Sequence, residues 1–268
     1  MIAAPARAPA AIAATRSGDG PAVVLLHGVA YGPATLDAVA AAVAAGGATA
    51  VVPHRAGYGR SADVPPRTDL GAQIDDVAGV LADMGVRRAV WAGVSGGATI
   101  ALAAAIRRPT LVSGLLLHEP ALGRLAGDLH ARLRGAAAAV HAAADPGDGA
   151  VTLAKTLAGE RGWAMLPDPV RDGVREAGPA VRAEIDQFPA FSPGAGALCG
   201  LRDTRTVSSV GAWSGTERRH AGAVLEALAR AATARPPSGH LVQIEAPDAF
   251  ARMALSLALP TRPVEEDG

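Results

Sequence analysis

The chain has 268 residues, half of them hydrophobic and 19% charged, with 25 basic side chains balanced by 25 acidic ones. That length buries a full core and fits one large domain with an insertion, the favoured reading, as well as two small domains, and no charge-free apolar stretch is long enough to cross a bilayer. A net charge of zero gives no electrostatic grip on nucleic acid or on an anionic membrane, so the expected partner is a small-molecule substrate. The single cysteine, Cys199, excludes an internal disulfide and any multi-thiolate metal site, and a cytoplasmic location is expected. The opening stretch "MIAAPARAPAAIAATRS" is alanine-rich, but Pro5, Pro9 and the lone Arg7 interrupt the pattern an export signal requires. Basic charge is almost all arginine, Lys155 being the exception, a bias that suggests a GC-rich bacterial genome.

Residues 12–15 have the character of a short first strand, closed by the turn signal "SGDGP". "AVVLLHG" follows as an unbroken apolar run, the pattern of a strand covered on both faces. A helix is predicted over 33–45, stopped by Gly46 and Gly47, and then "ATAVVPHRAGYGRS" gives a second buried strand and a glycine-rich loop. Residues 70–84 place Leu70, Ile74, Val77, Val80 and Leu81 at helical spacing. "AVWAGV" and "VSGLLL" are two further strands, with an alanine-rich helix between them. Strands alternating with helices in this way predict an α/β fold with a doubly wound, mostly parallel sheet.

Over 121–193 the strand rhythm is lost, and "LAGDLHARLRGAAAAVHAAA" and "VTLAKTLAGERGWAML" are helical in pattern. The expected organisation is a core of 1–120 and 194–268 with an inserted helical cap of 121–193. A strand over 206–213, a helix over 219–232 and a last helix over 247–259 complete the core.

"AVWAGVSGGATIALAAAIRRP" carries the chemistry. A buried strand passes directly to a helix across one serine set among Gly93, Gly96 and Gly97, which satisfies G-x-S-x-G in its required strand-to-helix setting. Ser95 is therefore expected at a strained corner at the carboxyl edge of the sheet, facing a helix N-terminus that stabilises developing negative charge.

Together, "GDGPAVVLLHGVA", "PHRAGYGRS", "AGVSGG" and "SGHLVQIEAPDAF" resemble the α/β-hydrolase fold family in order and spacing. The resemblance implies that the amides of Val29 and Gly96 form an oxyanion hole, that His27 is structural, and that His240 in "SGH" is the catalytic base. It implies neither a metal nor a cofactor. His54, His118, His130, His141 and His220 lack such a context and are taken as surface histidines. At the usual seat of the acid, past the strand "VSSVGAW", the chain carries Ser214. Glu119, which follows "GLLLH", and Glu217 both remain candidates. Glu119 is preferred because some branches of the family carry the acid one strand earlier. Its plain alternative is a carboxylate favouring a helix start before Pro120.

The helical insertion is expected to cap the site, with Tyr31, Trp163, Met165, Phe188 and Phe191 as candidate pocket residues, packing within the cap being the alternative for the last four. Glu245 and Asp248 are taken as ends and caps of the last helix, Asp75 and Asp76 as a solvated face, and Arg55 and Ser61 as braces of their loop. The implied activity is a cofactor-independent serine hydrolase acting on an ester, lactone or thioester, with carbon–carbon bond cleavage behind these. A non-hydrolytic ligand-binding or cyclising protein of the same fold is the alternative, favoured by the missing aspartate. Ser95 argues against an aspartate-nucleophile dehalogenase.

Overall fold

The computed structural model describes residues 11–164 and 166–259. Its strands are β1 (Ala14–Ser17), β2 (Ala22–Leu26), β3 (Thr49–Pro53), β4 (Ala89–Val94), β5 (Val112–His118), β6 (Thr206–Ser209) and β7 (Ala232–Ala234). They form one sheet in the order β1-β3-β2-β4-β5-β6-β7, with β1 antiparallel to β3 and every other pair parallel. Helices α1 (Asp37–Ala45), α2 (Leu70–Asp83) and α3 (Gly96–Arg107) follow β2, β3 and β4 in turn. This is the doubly wound α/β fold that the sequence predicts.

The apolar runs become strands because both faces of the sheet are covered. Side chains alternate along a strand, so Val24 and Leu26 enter one core cluster while Val23 and Leu25 enter another. Trp91 of β4 joins the first of these, with Val90, Ala92 and Val94 in the second. Helices α2 and α3 pack on the first face, and α1 on the second.

Between β5 and β6 the chain is helical: α4 (Gly127–Ala142), α5 (Pro146–Ala164), α6 (Asp168–Glu176), α7 (Gly178–Glu184), α8 (Gln187–Ala190) and α9 (Ala195–Cys199). Helix α5 is interrupted at Gly159, whose φ of 73° lies outside helical space. The core resumes with β6, α10 (Thr216–Ala229), β7, α11 (Val242–Glu245) and α12 (Pro247–Ala258). No helix among the described residues is long and apolar enough to cross a membrane.

Several boundaries differ from the sequence expectation. β1 lies at Ala14–Ser17, two residues later than predicted. β6 stops at Ser209, because the following loop turns to hydrogen-bond the segment ahead of α11, through Ala212 N–H to Pro236 O and Trp213 N–H to Ser238 O. The helix predicted to reach residue 232 ends at Ala229, where Arg230 adopts a left-handed conformation with φ 55°, and Ala232–Ala234 pair with β6 instead.

A buried polar strut ties the helical segment to the sheet. Arg55, in the loop after β3, forms a two-pronged ion pair with Glu184 at the end of α7, at 2.5 and 3.1 Å. Tyr58 Oη–H donates to the same carboxylate at 2.5 Å and Gln73 Nε2–H at 2.8 Å. Burying a charge is tolerable only when it is paired and hydrogen-bonded, and both conditions hold here. Arg55 therefore braces more than its own loop.

Candidate active site

The strand order reverses direction between β2 and β4, and in open α/β sheets such a switch point leaves a crevice at the carboxyl ends of the strands. Leu26 pairs with Gly93, so the loop that leaves β2 at His27 lies beside the turn that leaves β4 at Ser95. Ser95 sits at φ 54° and ψ −117°, a strained conformation for a side-chain-bearing residue. Tight packing holds it there: a Cβ on Gly97 would run into the backbone carbonyl of Leu26. Ser95 N–H donates to His118 O at 2.8 Å, which ties the turn to the end of β5. Helix α3 begins at Gly96, the next residue, with its amide-rich end at the serine.

Glu119 follows β5 directly and also has positive φ, 53°. Its two carboxylate oxygens are both engaged. Oε1 accepts from Gly211 N–H at 3.0 Å; Oε2 accepts from His240 Nδ1–H at 2.6 Å and lies 3.0 Å from Nη1 of Arg218. Because the carboxylate accepts at Nδ1, a neutral His240 carries its proton there, and Nε2 is the free lone pair. That Nε2 is buried and has no hydrogen-bond partner among the described residues.

Close loop contact builds this geometry. Gly211 is packed so tightly on Ser238 and Gly239 that a Cβ would meet their carbonyls. Glu245 Oε2 accepts from Gly239 N–H at 2.5 Å and so holds the turn that presents His240. Glu245 thus fixes the histidine loop, where the sequence suggests only a helix cap.

The electrostatics favour a charged acid beside a neutral base. Burial pushes the Glu119 carboxyl up, but the hydrogen bond and charge of His240, then the charges of His118 and Arg218, outweigh it and hold it well below the usual carboxylate range. Burial lowers the pKa of His240 and the Arg218 charge lowers it further; Glu119 opposes both without overcoming them. His118 is lowered to about 4, chiefly by burial. It is fully buried, its Nε2–H donating to Gly239 O at 3.3 Å and its Nδ1 accepting from Ser209 Oγ–H at 2.9 Å. It is no surface histidine.

His118, Glu119 and His240 bring ligand atoms within 4.8 Å of one another, close enough to surround a metal ion. The Arg218 guanidinium on Glu119 Oε2 repels a cation there, and the histidine nitrogens on that side already have hydrogen-bond partners. The cluster is better suited to moving a proton than to holding a metal.

Two cavities adjoin it. One is lined by Ser95, Val29, Gly96 and Glu119, the other by His240, Ser214 and Glu217, and Leu157 and Arg218 border both. The model of the Alpha/beta hydrolase family matches residues 23–253, which takes in all of these groups. The chain belongs to the alpha/beta hydrolase family. No curated protein matches this family member. Among solved structures it is similar to a hydrolase from Pseudomonas aeruginosa PA01 (23% identity, 92% of this chain and 93% of that one, TM-score 0.74). A thermophilic esterase from Thermogutta terrifontis gives 22% identity over 92% and 94% of the two chains with TM-score 0.73. The enol-lactonase from Burkholderia xenovorans LB400 gives 17% over 92% and 95% with TM-score 0.61.

The remaining expected site residues of this hydrolase-family chain divide. Phe188 lines the Ser95 cavity, with its ring against Gly96. Tyr31 is buried and its hydroxyl donates to Ala154 O at 2.9 Å, so it links the sheet side to α5 and lines neither cavity. Trp163 and Phe191 are half-buried against the main core cluster and line neither cavity. Met165 lies outside the described residues. Glu217 pairs with Arg132 at 2.7 Å, whereas the carboxylate bonded to His240 Nδ1 is that of Glu119. Asp76 is not on a solvated face; it is largely buried in a two-pronged pair with Arg67.

Sequence reading misses Arg218, His118 and Glu184. "TERRH" carries nothing that separates Arg218 from Arg219, and Glu184 meets Arg55 only through a contact 129 residues apart. For His118 a signal exists in its place directly after the apolar run Leu115, Leu116 and Leu117, where a solvated imidazole is not expected.

Proposed function

We propose that this protein is a serine hydrolase that cleaves small carboxylic esters through an acyl-enzyme. The observation that carries this reading is the 2.6 Å bond from His240 Nδ1–H to Glu119, a residue that lines one cavity with the strained Ser95. Ser95 Oγ attacks the carbonyl carbon while its proton passes to His240 Nε2, and the carbonyl oxygen takes the negative charge between the amides of Val29 and Gly96. The acyl carbon–oxygen bond then breaks, and the departing alcohol takes the proton from His240. Water repeats the sequence: it gives a proton to Nε2, adds to the acyl carbon, and frees the acid as Ser95 regains its hydrogen.

Glu119 sets the tautomer of His240 and compensates the imidazolium as it forms. The missing aspartate at Ser214 is the ground for a non-hydrolytic, ligand-binding member of the fold, and the Glu119 bond to His240 removes much of its weight. Esterase and lactonase neighbours support the hydrolytic reading at the level of reaction class. The helical segment serves as the cap, and Phe188 as the residue that closes the acyl side.

The test is covalent labelling with an alkyl fluorophosphonate. Ser95 is expected to be modified in the native protein and Ser95→Ala to be inert, and native protein that neither labels nor hydrolyses 2-naphthyl acetate overturns the reading.

A further inference from the structure

The two cavities differ in size and chemistry, and the direction of the reaction assigns each to one half of the substrate. The leaving oxygen must receive its proton from His240 Nε2, so the alcohol half lies on the histidine side. The carbonyl oxygen must sit at Val29 and Gly96, which sends the acyl chain into the cavity beside Ser95. That cavity holds only about 30 Å³ of free space, walled by Leu129, Leu133, Leu153, Ile185 and Phe188. The histidine-side cleft holds about 830 Å³.

We propose that the site selects esters of a very short acyl group, acetyl or propionyl, with a bulky, uncharged, aryl-bearing alcohol. This rests on the serine-hydrolase reading and specifies its substrate class. A cavity of about 30 Å³, against about 830 Å³ on the histidine side, suits the methyl or ethyl of such an acyl chain and not a long one. Phe188 is held where it is: its ring lies against Gly96, and the residue is 3% exposed and packed within the main core. Close-packed interiors give way to an added methylene only at the cost of strain.

The cleft on the other side has the opposite character. Trp213 lines it and is 70% exposed, the one large apolar side chain so exposed among the described residues, and its indole face is free to stack on an aromatic ring. The charges around it balance: Arg132 and Arg218 against Glu217 and Glu245, with Arg132 already paired to Glu217 and Arg218 to Glu119. No surplus of positive charge is left to recruit a polyanionic carrier such as a nucleotide-bearing thioester.

The experiment compares kcat/KM of the whole protein for 2-naphthylmethyl acetate, 2-naphthylmethyl hexanoate, ethyl acetate and acetyl-coenzyme A, alongside fluorophosphonate labelling. The two acetate esters have leaving alkoxides of similar basicity, so their ratio reports the cleft rather than intrinsic reactivity. The hexanoate is expected at least about 30-fold below the acetate, the scale on which a closed apolar pocket discriminates by chain length. Ethyl acetate and the thioester are expected well below the naphthylmethyl acetate. Leu133→Ala, at a half-buried wall position, should narrow the acetate–hexanoate gap, and Trp213→Ala should cost the naphthylmethyl acetate about fivefold more than ethyl acetate. The wild-type comparison holds whether or not either variant folds. A labelled Ser95 with hexanoate equal to acetate, with ethyl acetate or the thioester as good as the naphthylmethyl ester, or with no acetate turnover, overturns the substrate assignment alone. No labelling and no turnover overturn the hydrolase reading and this assignment together.

Discussion

Replacing Glu119 by glutamine tests the acid most sharply, because the carboxylate faces only donors. Oε1 receives Gly211 N–H, while Oε2 receives His240 Nδ1–H and lies against Arg218. A glutamine can present an oxygen to only one of those sides. If its NH₂ faces Gly211 it meets a backbone donor; if it faces His240 it meets Nδ1–H and Arg218. The second arrangement is relieved when the imidazole moves its proton to Nε2, which is the wrong tautomer for accepting from Ser95. Arg218 is at the same time left as a nearly buried cation without its counter-ion, which raises the cost of forming an imidazolium beside it. In a triad of this kind, loss of the acid's charge lowers turnover by about 10⁴, close to 5 kcal/mol of barrier. The assay is kcat for 2-naphthyl acetate, with the urea midpoint measured in parallel to establish that the variant folds. Glu217→Gln serves as comparison, since that carboxylate pairs with the exposed Arg132 and an exposed ion pair contributes about 0–1 kcal/mol. A folded Glu119→Gln that keeps more than about a tenth of wild-type turnover, or a larger loss in Glu217→Gln, refutes Glu119 as the acid.

Three further outcomes follow from the same groups. The pKa of His240 is lowered, so the acid limb of kcat/KM is expected below pH 6.5 and not at or above it, and Arg218→Gln should move that limb upward by removing the nearby positive charge; a limb that stays fixed counts against the arginine's role. His118 has its folded pKa depressed to about 4, so between pH 6.5 and 4 the unfolded chain binds the proton and the folded one does not. Stability therefore falls with falling pH across that window, by about 3 kcal/mol from this residue, and then levels off; urea titrations at pH 7, 5 and 4 that show no such loss contradict the buried neutral assignment. Glu184→Ala leaves Arg55 charged and unpaired in the interior and should cost about 3–5 kcal/mol, whereas the double change Arg55→Met with Glu184→Leu should recover most of it, as read by urea midpoints.

What the sequence discloses follows from the range over which each signal acts. β2 and β4 are legible because burial on both faces demands an unbroken apolar run, and Ser95 is legible because a crowded strand-to-helix corner demands glycines around it. Both signals are local. The end of α10 is not legible: "ALARAATARPP" is alanine-rich throughout, and only pairing of Ala232–Ala234 with β6 makes it a strand. Arg55 with Glu184, and Arg218 with Glu119, are pairs formed across 129 and 99 residues, and nothing beside Glu184 or Arg218 in the sequence distinguishes them. Tyr31 is the converse case, placed near the site by its position after Val29 but turned away by a hydrogen bond to α5 that no local pattern announces.

The proposed acid shows why Glu119 and Glu217 are told apart in space rather than in sequence. β5 and β6 are adjacent and parallel, with His118 in register with Ser209, so their carboxyl ends emerge side by side, about 4.8 Å apart. A carboxylate meant to reach the histidine loop can start from either end, provided that the one starting farther away is longer and aimed across. Glu119 meets both conditions. It has one methylene more than an aspartate, and its positive φ turns the chain at the point where its N–H bonds Ser209 O, so the side chain crosses to the β6 loop and receives Gly211 N–H there. Ser214 leaves the usual position without a charge, and a carboxylate from β5 meets His240 Nδ1 from the neighbouring strand. On this geometry, shortening Glu119 to aspartate should be nearly as damaging as removing its charge, while an aspartate at 214 in the same chain should restore part of the lost turnover. Failure of Ser214→Asp to rescue Glu119→Asp, in a variant that folds, would show that the β6 position is out of reach of the imidazole.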